Sequence, residues 1–125
     1  MSISDSEFEE MLTRALSELP EKYIQNLDNV AITYAEFPSD EQLHKQGVRE
    51  NQLLLGLYEG IPLTQRGAGY NLVLPDKITI FKRPIVQLSD DHEDLFRRVK
   101  HTLWHEIAHH YGLNHNRIDE LENKH

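Results

Sequence analysis

The chain has 125 residues, no cysteine, 38% hydrophobic residues and a formal net charge of −8. That length favours one domain, 1–125, around one modest core, and the missing cysteine excludes disulfides and thiolate metal sites and fits a reducing, cytoplasmic setting. The acidic balance disfavours nucleic acid as a partner, and the longest apolar run, Leu53 to Tyr58, is far too short to cross a membrane.

Ser4 and Glu7 form a capping-box pattern, and Phe8, Met11, Leu12, Ala15, Leu16 and Leu19 follow at helical spacing. Pro20 punctuates that helix and opens a second short helical piece through Tyr23, Ile24 and Leu27. Asn29 to Tyr34 is rich in β-branched residues and reads as a strand. Pro38-Ser39-Asp40-Glu41 starts another short helix, which runs to Gln46 and stops at Gly47. Leu53 to Tyr58 is the expected second strand. Gly60, Pro62, Gly67 and Gly69 mark a loop over 59–69. Residues 70–74 are expected to form a hairpin with 78–81 through a Pro75-Asp76 turn, and Pro84 limits that strand. Asp90 or Asp91 can cap a long helix to about Tyr111, with Leu95, Phe96, Val99, Leu103, Ile107 and Tyr111 as its apolar stripe. The expected fold class is α+β, a small sheet packed on helices with a long C-terminal helix. Arg97-Arg98-Val99-Lys100-His101 is the one basic cluster, and it reads as a solvated face of that helix.

The last helix also carries the most informative run, His105-Glu106-Ile107-Ala108-His109-His110-Tyr111-Gly112-Leu113-Asn114-His115. It has the form H-E-x-x-H-x-x-G-x-x-H. His105 and His109 are four residues apart, so both imidazoles leave one helix face and can grip one metal ion. Gly112 can end the helix in a left-handed turn, which lets the chain swing His115 back as a third nitrogen ligand. Three protein ligands and one open position is the arrangement of catalytic zinc. Glu106 stands where its carboxylate can take a proton from metal-bound water during attack on a carbonyl. The site is expected in an open cleft, on the side of the helix away from the apolar stripe.

The remaining histidines carry weaker signals. His101 is one turn before His105 and reads as a solvated neighbour of the metal face. His110 points to the packed side and reads as a hydrogen-bonded residue at the edge of the core. Asp119 can orient a ligand imidazole, and Asp119, Glu120 or Glu122 are lower-ranked alternatives to His115.

The eleven-residue run resembles the zinc signature of the metzincin clan of metallopeptidases. Its methionine-bearing turn has no counterpart here, because the only methionines are Met1 and Met11. The whole chain resembles more closely the small bacterial proteins called minimal zincins, zinc metallopeptidases with a zincin-like domain. The resemblance includes Leu19-Pro20, Asn29-Val30-Ala31, Leu54 to Gly60, Pro62-Leu63-Thr64, Pro75 to Ile78 and His105 to His110. It implies a compact zincin-like core, zinc on His105, His109 and His115, and Glu106 as general base. It also implies an extended or flexible peptide as substrate, laid along an edge strand supplied by 53–59 or 70–74. Glu59, Arg66 and Tyr70 fall near that edge and read as loop packing before substrate contact. Two rivals stand beside a zinc metallopeptidase. One is a metal-dependent ribonuclease, against which Glu106 and the acidic charge argue. The other is a metal-containing module that binds a peptide without cutting it, against which the intact Glu106 argues.

Overall fold

Both long helices begin where the sequence places a cap. In a computed structural model, which describes residues 1–25, 27, 30–60 and 76–110, α1 spans Asp5–Ser17. Ser4 Oγ accepts from the Glu7 N–H at 3.1 Å, and the Glu7 carboxylate accepts from the Ser4 N–H at 3.0 Å. Two amides that the first turn cannot satisfy internally are thereby bonded. α2 (Glu21–Gln25) follows Pro20, and β1 covers Val30–Ala35. α3 (Asp40–Lys45) has a second capping box between Ser39 and Gln42. It stops at Gly47, whose φ of 66° is left-handed backbone that a side chain would strain. β2 (Gly56–Glu59), β3 (Asp76–Phe81), α4 (Lys82–Leu88) and α5 (His92–His110) complete the described elements.

β3 lies between the other two strands, parallel to β1 and antiparallel to β2. Val30 faces Asp76 and Ala35 faces Phe81 on one side, while Gly56 faces Ile80 and Glu59 faces Lys77 on the other. The arrangement is α+β with a small mixed sheet, as expected. The neighbours of β3 were not legible: the anticipated hairpin partner, 70–74, and the loop from residue 61 onward lie outside the described residues. β2 also begins at Gly56 instead of Leu53, although Leu55 O still accepts from the Phe81 N–H at 2.9 Å.

α4 is an element that the sequence pattern did not announce. β3 stops at Phe81, ahead of Pro84 as expected, and Pro84 itself sits in the first turn of a helix, where no intrahelical N–H bond is lost. Lys82, the first residue of α4, is buried. Its Nζ donates to Asp5 Oδ1 at 2.7 Å and lies 3.9 Å from Glu36 Oε1, which ties together the starts of α1 and α4 and the chain leaving β1.

The core forms where α1 and β3 meet α5. Phe8, Leu12 and Ala15 come from α1, Ile78 and Ile80 from β3, and Leu95, Val99, Leu103 and Ile107 from α5. Trp104 and Ala108 are buried as well, so the packed face of α5 is wider than the expected stripe. Tyr23 of α2 meets Trp104 edge to face at 5.4 Å. No helix among the described residues is long and apolar enough to cross a membrane.

Candidate metal centre

α5 is oriented by its apolar face, and that orientation decides which side chains are left for chemistry. Burying Leu103, Trp104, Ile107 and Ala108 leaves His105 and Glu106 half-buried at the margin of the core and His109 exposed. His105 and His109 are one helical turn apart on the same face. Their ring centroids are 6.3 Å apart with planes at 84°. His101 continues the row one turn earlier, exposed as expected, with its ring 4.3 Å from that of His105.

Glu106 turns to the other side of this row, toward the sheet. Its Oε1 accepts the backbone N–H of Tyr58, in β2, at 2.9 Å. The Nδ1 of His109 lies 3.9 Å from the same oxygen. Burial pushes the Glu106 carboxyl above the usual carboxylate range, while the His109 charge and the Tyr58 amide pull it back. Such a carboxylate is a stronger base than one in water, yet it is held by a directed hydrogen bond.

Gly56 makes this approach possible. A Cβ there would stand 2.6 Å from Thr102 Cγ2 and 3.2 Å from Ile80 Cδ1. Without one, α5 lies close along β2 and brings Glu106 to the Tyr58 amide.

The family model for zincin-like metallopeptidases matches residues 27–125 of the chain, which include this whole constellation. The chain belongs to the zincin-like metallopeptidase family. Among solved structures, it resembles a conserved hypothetical protein from Thermus thermophilus with a TM-score of 0.57 and 19% identity. That match covers 87% of this chain and 94% of the other, and at such identity it carries the fold alone. A comparison with curated proteins finds no match.

A zincin-like family implies zinc, and the donors of this zincin-like chain can be tested against it. With Zn–N bonds of about 2 Å and tetrahedral angles, two imidazoles sharing one metal have ring centroids roughly 5 Å apart. The rings of His105 and His109, 6.3 Å apart, stand wider than that, and a side-chain rotation on their common helix face would have to bring them together on one ion. Among the described residues no three acidic, histidine or cysteine side chains converge on one metal position. His115, the expected third ligand, lies outside the described residues, as do Gly112, Asp119, Glu120 and Glu122. The two donors on α5 fit zinc by type and by their placement one turn apart on one helix face.

Two residues beside the row were missed in the sequence. The Tyr58 hydroxyl donates to Asp76 Oδ2 at 2.5 Å and stands 2.9 Å from His110 Nδ1. With the phenol proton directed at Asp76, His110 Nδ1 is the donor to the phenol oxygen. His110 is therefore a hydrogen-bonded residue at the edge of the core, as its position predicts. Tyr58 links β2, β3 and α5 through one side chain and one amide. Nothing in its spacing signals this, because its partners are 18, 48 and 52 residues away. Glu59 packs as expected, accepting from Gln42 Nε2 at 2.9 Å with Lys77 at 4.0 Å. Arg66 and Tyr70 lie outside the described residues.

Proposed function

We propose that this chain is a zinc-dependent peptidase in which Glu106 is the general base. The observation that supports this best is the half-buried Glu106 carboxylate, fixed by the Tyr58 amide between the two imidazole-bearing turns of α5. His105 and His109, together with His115, would hold the metal and leave one coordination position open. When bound, zinc supplies a Lewis acid that lowers the pKa of a water to about 7 and polarises a carbonyl.

Glu106 takes up the water proton and delivers it to the leaving amine. The Tyr58 N–H and the His109 ring both lie at Oε1. Oε2 is therefore the oxygen that carries the proton. Partial burial raises the basicity of the carboxylate, and the directed amide bond keeps it from rotating away. Tyr58 is a positioning residue in this scheme, acting on the reaction only through Glu106. β2 has one strand neighbour, β3, among the described residues. At its other edge the Tyr58 N–H is held by Glu106, and an extended peptide would pair there through the remaining main-chain groups. A small chain has little surface with which to unfold a target, so the substrate is a peptide or a flexible protein segment.

The test compares wild type with Glu106→Gln, both reconstituted with zinc, on a fluorogenic peptide library. Wild type should turn over peptides. The variant should bind one zinc per chain and lose activity by at least about 10²–10⁴-fold. Equal turnover by both proteins, or none by wild type with zinc confirmed by elemental analysis, contradicts the peptidase. The second outcome is the one that a non-catalytic peptide-binding module predicts.

A further inference from the structure

Arg97, Arg98 and His101 of the basic cluster, which reach solvent as expected, also line a cleft. Arg97, Arg98, His101 and Thr102 of α5 form one wall with Leu55, just ahead of β2, opposite. The cleft has a volume of about 310 Å³. That is the low end of the range for sites that hold a small group, about 300–1,000 Å³. It opens on the same helix face as the metal row, since the His101 ring is 4.3 Å from that of His105.

The charges at this cleft do not cancel. Arg98 Nε donates to Asp94 Oδ2 at 3.1 Å, and an Arg97 terminal nitrogen stands 3.5 Å from Asp94 Oδ1. One carboxylate thus faces two guanidinium groups, which leaves a net positive wall on a chain of net charge −8. Asp94 engages Arg98 through Nε. Among the described residues that leaves the two terminal nitrogens, which carry the paired N–H groups that fit a carboxylate. The Arg98 side chain is 41% exposed, so its head reaches solvent while its stem is packed. Thr102 Oγ1 is spent on Arg98 O at 2.7 Å, and Leu55 offers the apolar side.

We infer that this cleft is a subsite for a carboxylate of a peptide, either an acidic side chain or a free C-terminus. The inference rests on the peptidase reading for the identity of the ligand as a peptide. Its placement follows from the fold. β2 and α5 run in the same direction, with Gly56 against Thr102 and Tyr58 against Glu106. A peptide paired antiparallel to the outer edge of β2 therefore runs from Glu106 toward Leu55, with its C-terminal side over the cleft. Arg98 to Thr102 precede Glu106 by four to eight residues of helix. That distance is about 6–12 Å, or roughly two to four residues of extended peptide. A carboxylate that far beyond the bond to be cut reaches the arginines.

The probe is a pool of fluorescein-labelled peptides randomised over neutral residues, and the protein is full-length, zinc-loaded Glu106→Gln. Three versions are compared by anisotropy: amidated and neutral, amidated with one Glu, and neutral with a free C-terminus. One or both carboxylate versions should bind about tenfold tighter than the neutral amide, as a charge-assisted arginine contact gives. Which of them gains identifies the source of the carboxylate. The advantage should shrink with added salt and fall to within about twofold when Arg98→Gln is added, while Arg98→Lys keeps part of it. Circular dichroism checks folding, and the exposed Arg97→Gln serves as a second variant that should weaken the advantage in the same direction. The proposal is overturned by equal binding of all three pools, by an advantage that survives both arginine variants, or by displacement of the peptide by single-stranded oligouridylate at matched charge. Binding is read without turnover, so an inactive wild type would remove the peptidase reading and leave this result standing.

Discussion

A single missing methyl group sets the distance on which the Glu106 geometry depends. Thr102 Cγ2 stands where a Cβ on Gly56 would go, and Thr102 cannot swing aside easily because its hydroxyl bonds Arg98 O. β-Branched side chains in helices are also stiff at χ1. Gly56→Ala should therefore push α5 away from β2 and lengthen the 2.9 Å contact between the Tyr58 amide and Glu106. Overpacking of this kind costs about 1–3 kcal/mol, which a thermal melt reads as a drop of several degrees. Adding Thr102→Ser to that variant removes the clashing methyl and keeps the hydroxyl, so it should recover most of the loss. A Gly56→Ala protein that melts with wild type would show that the close approach is not needed. The same residue explains part of what the sequence hid. Gly56 reads as one glycine in an apolar run, and nothing local shows that its neighbour is a helix residue 46 positions away.

At the scale of elements, legibility followed how local the determining physics is. α1 and α5 were readable because their caps and apolar rows repeat within a few residues. β3 was readable as a strand, yet its partners were not, since strand pairing is chosen by contacts distant in the sequence. α4 was hidden because a proline that ends a strand is equally at home in the first turn of a helix. At the site, the row of His105 and His109 on one helix face was visible in their spacing. The Tyr58 amide, Asp76 and the cleft wall at Leu55 were not, because each belongs to another element. The start of α5 gives an element-scale prediction. Asp94 accepts the Asp90 N–H at 3.0 Å and pairs with Arg98, and these contacts, the backbone bond first, hold its carboxyl below the usual range. A carboxyl lowered on folding contributes stability that is present above its unfolded pKa of about 3.9 and lost as pH falls through the folded value. Melting temperatures measured from pH 6 down to pH 2.5 should therefore fall less steeply for Asp94→Asn than for wild type, with the difference confined to the acid end. Parallel curves for the two proteins would contradict this account of the helix start.

For the molecule as a whole, the question is whether the metal holds the fold or the fold holds the metal. The core residues on α1, β3 and α5 pack against one another without any contribution from the ligand row. His105 is half-buried and His109 exposed, both on the margin of that core. A protein organised in this way should stay folded when the metal is removed, unlike a zinc finger, whose fold depends on it. Zinc should still stabilise the native state by mass action, since the unfolded chain does not gather the ligands. At free zinc one hundred times its dissociation constant the gain is about 2.7 kcal/mol, which corresponds to a rise in melting temperature of roughly 5–15 °C. Chelated protein should therefore show a cooperative melt at lower temperature, and readdition of zinc should restore the higher one. His105→Ala and His115→Ala should each abolish the rise, and His105→Ala should leave the chelated melt nearly unchanged, because His105 does not belong to the packed core named above. If His115→Ala keeps the full rise, a different donor closes the coordination sphere. If chelation unfolds the protein outright, the metal is structural, and the open coordination position on which the proposed hydrolysis depends is not there.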